Sequence, residues 1–336
     1  MQRACKVFII AFTVSAIAVV ISIQTISLSF NRAVVLASPP QTSGKKPVRR
    51  VLLVGISNYD RDKGKPSTAR GKIAPPAKTI LEPLSGPPND VKEMASLLSV
   101  YCQYVHILPE EEATHDGILK AIQKYLIDDA APGDQCLFYY SGHGSHIRNS
   151  LSPTGQEETI VPIDYVRPIQ KREDVRDIRD REFMQYFNRA LDKGITFTAI
   201  FDSCHSGSIA RSGEIAKAVP GSDFDLAEAP LQMPKPGDCG ALIVSAALAH
   251  QQALINVYGG VPFSDFTHHL IAVMIRQSAE TLTAEQLFQQ VATRLRGADK
   301  KAEPVLDTNM TRLQLNLFGS PLPPEANRQL FVIRKL

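Results

Sequence analysis

The run ITFTAIFDSCHSGS, Ile195 to Ser208, carries seven apolar or β-branched residues straight into Asp202, Ser203, Cys204 and His205. A buried strand that ends by presenting a cysteine beside a carboxylate calls for chemistry. A thiol is mostly protonated at neutral pH and attacks a carbonyl only as the thiolate, so it needs a base within reach or a field that lowers its pKa. His143, in the run QCLFYYSGHGSH, is the candidate base. It lies 61 residues before Cys204, and both follow apolar runs, so neighbouring parallel strands would deliver them to one sheet edge. Backbone N–H groups of Gly144 and Cys204 would then face a developing oxyanion, and the glycines flanking His143 would let the backbone approach a substrate. Alone, His143 reads as a turn histidine and Cys204 as a buried thiol; their pairing at adjacent strand ends makes a nucleophile and its base. A metal reading of His143, His146, Cys204 and His205 lacks HExxH or CxxC spacing, so no metal is assigned.

Six strands are predicted to position this pair: VLLVGIS from Val51, QYVHIL, QCLFYYS, ITFTAIF, ALIVSA from Ala241, and QLFVIR near the C-terminus. The apolar run of VLLVGIS is continuous rather than alternating, the pattern of a strand buried on both faces. Helical patterns fall between them. One is capped at Asn89 and Asp90 and runs to Tyr101. Another is capped by Thr114, with Ile118, Leu119, Ile122 and Leu126 on one face. A third opens at Asp180 and closes at Gly194, and two more cover Ser264 to Gln277 and Thr283 to Arg296, where Thr283 and Gln286 have capping-box spacing. Alternating strands and helices predict an α/β fold of three layers, a mostly parallel six-stranded sheet with helices on both faces. In such sheets chemistry gathers beyond the carboxyl ends of the strands.

The chain has 336 residues, enough for one catalytic domain and a leader. Residues 1–37 begin MQRACK and continue with 17 apolar or small residues from Val7 to Ile23, which reads as a signal peptide or an uncleaved membrane anchor; either one exports the body. Residues 38–50, with their proline, glycine and charge, read as a linker. Without the three basic residues of the leader, 34 basic residues face 34 acidic ones, and a neutral body argues against nucleic acid as partner. Cys102, Cys136, Cys204 and Cys239 remain beyond the leader, and no disulfide framework is indicated. Gly64 and Gly71-Lys72 echo a phosphate loop, but six residues separate the glycines instead of four and Ile73 stands where a hydroxyl belongs.

The motifs YYSGHGSH and DSCHSG resemble the histidine and cysteine motifs of the metacaspases, caspase-like cysteine peptidases that prefer Arg or Lys before the scissile bond. VLLVGISNY, LSGPPNDVKEM, and EETIVPIDY followed by IRDREF resemble the family's intervening signposts in the usual order, while ALIVSAALAHQQAL and FSDFTHHL match more loosely. The resemblance implies a caspase-like domain over 51–336, divided into a large-subunit-like part 51–210, a loop 211–240 and a small-subunit-like part 241–336. It assigns His143 and Cys204 the catalytic places, and Asp90, Ser141 and Asp202 an acidic primary specificity pocket. Carboxylates in such a pocket pair with an ammonium or guanidinium.

The expected function is therefore a cysteine endopeptidase cleaving after Arg or Lys through a thioester acyl-enzyme. It would process itself in the 211–240 loop, a Gly- and Pro-rich segment that reads as exposed and carries Arg211, Lys217 and Lys235. The chemistry needs no cofactor. Many metacaspases hold calcium with aspartates at places that read Arg211 and Asp180-Arg181 here, and arginines are not calcium ligands. Expected partners are protein or peptide substrates, with membrane contact only through the N-terminal segment and a monomeric state. The competing reading is a non-catalytic caspase-like scaffold or sensor at the cell envelope; a serine hydrolase is weaker, because no GxSxG elbow is present.

Overall fold

The computed structural model describes residues 46–59, 81–204, 215–247, 253–297 and 304–323. The leader, His205, Arg211 and the QLFVIR segment lie outside the described residues. No described helix is long and apolar enough to cross a membrane.

Twelve strands are described: β1 (Arg49–Gly55), β2 (Tyr104–Leu108), β3 (Gln135–Ser141), β4 (Gly144–Arg148), β5 (Gln156–Ile160), β6 (Ile178–Arg179), β7 (Thr196–Asp202), β8 (Ile215–Ala216), β9 (Leu242–Ser245), β10 (Leu254–Tyr258), β11 (Val261–Ser264) and β12 (Val305–Asp307). The main sheet has the order β12-β9-β7-β3-β1-β2, all parallel except β12 against β9. β4, β5 and β6 form one small antiparallel sheet, and β8, β10 and β11 form another.

The continuous apolar runs have a direct cause. Side chains alternate across a strand, so in β1 Leu52 and Val54 enter one core while Val51 and Leu53 enter the other. On the first side pack α2 (His115–Ala121), its π-helical continuation Ile122–Asp128, and α3 (Asp180–Asp192), through Ile118, Ile122, Leu126, Phe183 and Phe187. On the other lie α1 (Pro87–Leu98), α4 (Asp265–Gln277) and α5 (Ala284–Gly297), through Met94, Leu98, Leu270, Val273, Leu287 and Val291. The short α6 (Met310–Leu313) follows β12. This is the predicted three-layer α/β architecture.

Several local expectations hold. Thr114 Oγ1 accepts from Gly117 N at 3.0 Å, and Thr283 and Gln286 exchange the two bonds of a capping box at 3.0 and 3.1 Å. Others need correction. The first strand starts at Arg49, inside the expected linker, because Arg49 stacks over Phe318 and pairs with Glu280 while Arg50 lies over Tyr104. The sixth strand of the sheet is β12, running antiparallel. Asn89 and Asp90 do not cap α1: Pro87 opens it, its missing N–H costing nothing at a first-turn position, and α1 ends at Leu98 before the expected Tyr101. The smaller sheets escaped the strand pattern, since none of their strands is a long buried run; the Gly259-Gly260 turn between β10 and β11 was the available hairpin signal.

Candidate active site

β3 and β7 are adjacent, and their register pairs Ser141 with Asp202. His143 and Cys204 each lie two residues beyond that pair, so the two parallel strands carry imidazole and thiol to the same level at the carboxyl edge of the sheet. Both are buried, 2 % and 1 % exposed. Gly144 is required here for packing: a Cβ on it would run into the backbone of Cys204, the opposite of the open approach to substrate expected from its sequence context.

His143 is held on three sides. Its N–H donates to the Tyr59 hydroxyl at 2.8 Å, its carbonyl accepts from Tyr140 Oη at 2.8 Å, and the Tyr59 ring lies 4.7 Å from the imidazole. Tyr59 comes from the VLLVGISNY signpost, which thereby has a mechanical role. Nε2 lies 2.8 Å from the Glu82 carbonyl. A carbonyl only accepts, so Nε2 carries the proton and Nδ1 keeps its lone pair. Nδ1 is buried and has no hydrogen-bond partner among the described residues. Burial lowers the pKa of His143 to about 4, the Lys217 ammonium acting in the same sense and the Glu82 and Lys217 carbonyls against it. Burial likewise pushes the Cys204 thiol up to about 12. In this state both groups are neutral, and the thiol donates to the Ala253 carbonyl at 3.4 Å while Ala253 N–H donates to the sulfur.

Asp90, Ser141 and Asp202, expected to line an acidic pocket, lie together. Asp90, Ser141 and Asp202 are each fully buried. Ser141 Oγ donates to Asp90 Oδ2 at 2.7 Å. Two further residues complete the pocket, both from FSDFTHHL. Ser264 N–H donates to Asp90 Oδ1 at 3.0 Å and its hydroxyl also donates to Asp90; Thr267 Oγ1 donates to Asp202 Oδ2 at 2.5 Å, itself 2.6 Å from Tyr139 Oη. Burial, with Asp202 nearby, raises the Asp90 pKa, opposed by Lys217.

The pocket is filled from within the chain. Lys217, expected on an exposed loop, is fully buried. Its Nζ donates to Ser141 Oγ at 2.8 Å and to Ser264 Oγ at 2.7 Å, and forms an ion pair with Asp202 Oδ1 at 2.9 Å. Two hydroxyl acceptors and a carboxylate offset what burial costs this ammonium, which is why the lysine leaves water. Its backbone is held as firmly. Gly144 N–H and Cys204 N–H converge on the Lys217 carbonyl at 2.9 and 3.4 Å, the two donors named as an oxyanion site. Lys217 N–H donates to the Ala253 carbonyl at 3.1 Å, and β8 just before it pairs antiparallel with β10. Sequence alone offered only the presence of a lysine in the loop.

The calcium positions hold something else. Arg181 Nη1 lies 3.5 Å from Glu157 and pairs with Glu228; Arg179 reaches Glu228 at 3.0 Å, and Arg172 also pairs with it. These guanidinium groups occupy the Glu157 and Glu228 carboxylates near Asp180. Among the described residues no group of three or more His, Cys, Asp or Glu could hold a metal. All four cysteines beyond the leader are free thiols.

A central, mostly parallel sheet with a thiol, an imidazole and an acidic pocket at its carboxyl edge defines a caspase-like protein. The family profile "Metacaspase, peptidase C14 domain" matches residues 49–212. Metacaspase-1B of Neurospora crassa is 36 % identical over 171 residues, 47 % of this chain and 34 % of that protein. Metacaspase-1 of Sclerotinia sclerotiorum is 34 % identical over 172 residues, 48 % of this chain and 34 % of that protein. The matched region thus spans about a third of the length of these curated relatives. In fold, the chain is similar to a crystal structure of a Geobacter sulfurreducens protein (TM-score 0.57, 18 % identity, 82 % of this chain and 100 % of that one). It is also similar to caspase-1 of Spodoptera frugiperda (TM-score 0.51, 14 % identity, 86 % and 96 %). Residues 49–212 are thus similar to the metacaspase peptidase C14 domain, and the fold is caspase-like.

Proposed function

We propose that this chain is a cysteine endopeptidase that cleaves protein and peptide substrates after Lys or Arg, and that its first substrate is its own Lys217–Ala218 bond. The observation that carries this reading is the seating of Lys217, ammonium on Asp202 and carbonyl between two N–H donors. His143 Nδ1 takes the proton of the Cys204 thiol, and the sulfur attacks the carbonyl carbon of the residue in the pocket. The oxygen gathers negative charge opposite Gly144 and Cys204 N–H. Collapse forms the thioester and expels the amine, which takes the proton back from His143. Water, deprotonated by the same nitrogen, then hydrolyses the thioester and frees the thiol. Asp202 and Asp90 select the cation, Lys by point charge and Arg by its fork.

No cofactor enters this scheme, and calcium has no part in it. Export or anchoring through residues 1–37, and a monomeric working state, belong to the same proposal. Purified protein assayed on matched peptides ending in Arg, Lys or Asp, with and without calcium and beside Cys204→Ala, tests it. Turnover after Arg and Lys is expected, with the wild-type chain cut once at Lys217 by intact mass. Turnover only after Asp would overturn the pocket assignment. Equal turnover by the alanine variant would overturn the mechanism, and an inert, uncut wild type would favour the scaffold reading.

A further inference from the structure

The chain does not leave the site after Lys217. β4 has β5 on one edge; its other edge receives residues 218–226 as a parallel partner, bridging Gly144 to Ala218 and Ile147 to Ser222. Val219 N–H donates to the Gly144 carbonyl, Ser222 N–H to His146, and Leu226 N–H to Arg148, each at 3.0 Å, while Arg148 N–H donates back to Ser222 at 3.0 Å. Side chains follow the backbone inward. Val219 is 4 % exposed within the main core, and Leu226 packs with Ile147 and Ile169. Asp225 then lies 3.4 Å from Arg148, and Glu228 meets the three arginines described above.

The two sides of the Lys217–Ala218 bond are held by different means. Before the bond, among the described residues, Lys217 is held at the site of cutting by its ion pair and its backbone bonds, and β8 pairs with β10 over two residues. After it, a ladder, two buried aliphatic anchors and an ion-pair cluster secure the chain. We propose that the edge of β4 opposite β5 is a peptide-binding site for the residues that follow the cut bond. It sets the loop in register for cutting at Lys217 and keeps residues 218–228 bound after the cut, while the residues before the bond are released. The mode is strand addition to an exposed edge, with main-chain bonds supplying affinity and pockets for alternate side chains supplying selectivity. Cutting thus opens the half of the groove that reads the substrate's acyl side. The inference rests on the self-cleavage reading above.

Residue-resolved amide hydrogen exchange on three proteins tests it: uncut Cys204→Ala, the wild-type chain after cutting, and Cys204→Ala carrying Val219→Asp. Ser222 and Leu226 amides are expected to stay at least tenfold protected in the first two, with Lys217 protected only in the first. Val219→Asp, which sets a carboxylate in the core, is expected to strip that protection while β3 and β7 amides keep theirs. After cutting, exchange at Ser222 and Leu226 as fast as at Lys217 would overturn retention. Unchanged protection in the Val219→Asp protein would overturn the docking. Should the wild type never be cut, the self-cleavage reading and retention fail together, whereas loss of protection in Val219→Asp would still uphold the docking.

Discussion

The Nζ of Lys217 lies 2.9 Å from Oδ1 of Asp202, with both side chains fully buried. Asp202 closes β7 two residues before Cys204, so this ion pair ties the loop to the strand that delivers the thiol. Asp90 Oδ2, 3.9 Å from the same ammonium, is a second carboxylate coupled to it through two serine hydroxyls.

If that attraction seats the loop, reversing its charge should unseat it. In Lys217→Glu a carboxylate would face Asp202 and Asp90, and like charges brought together cost several kcal/mol. Lys217→Met keeps the stem without the charge and cannot be cut at that position. Uncut Lys217→Glu is expected to turn over an Arg-coumarin peptide at least ~10-fold faster than uncut Lys217→Met, a difference of about 1.4 kcal/mol in loop seating. Intact mass on the assayed samples establishes that neither is cut.

Removing one member of a buried pair strands the other. In a Cys204→Ala background, where the loop stays whole, Asp202→Asn is expected to cost about 3–5 kcal/mol in chemical denaturation. Lys217→Met added to Asp202→Asn should return most of that loss, giving a coupling energy well above 1 kcal/mol. Additive effects would mean that the two charges do not interact.

Thr267 touches no substrate atom, but it fixes one oxygen of Asp202 at 2.5 Å. It is a positioning residue. Thr267→Val keeps the shape and deletes that donor, leaving the carboxylate less well held by about 1–3 kcal/mol. For Arg and Lys peptides KM is expected to rise several-fold with kcat little changed. A fall in kcat at constant KM would place its role elsewhere.

The buried imidazole makes uncut protein sensitive to acid. Folding lowers the His143 pKa from 6.5 to about 4, so between these values the unfolded chain binds the extra proton and the folded one does not. Stability from this residue is therefore complete above pH 6.5 and declines as pH falls towards 4, by about 3 kcal/mol in all. Denaturation of Cys204→Ala at pH 7 and pH 4.5, beside the same chain with His143→Gln, isolates it. The glutamine variant is expected to lose less stability on acidification, and parallel losses would refute the assignment.

The sequence by itself determined the layered α/β sheet: five of the six predicted strands belong to it, the central ones announced by continuous apolar runs and the exposed edge strand β2 by its place between helices. It also pointed to His143 and Cys204 as a base and a thiol at neighbouring strand ends, and the resemblance of the motifs added Asp90, Ser141 and Asp202, which the fold brings together beside them. Ser264 and Thr267 were harder to read, since a hydroxyl near a helix start looks like a cap and only proximity to Asp90 and Asp202 gives it another use. Lys217 marks the limit. A lysine in a loop rich in Gly and Pro reads as exposed, and nothing local says otherwise. Its burial depends on acceptors that lie 76, 47 and 15 residues away in sequence, on Ser141, Ser264 and Asp202. Only the tertiary fold brings them together, and only there do two hydroxyls and a carboxylate at once offset the cost of taking an ammonium out of water.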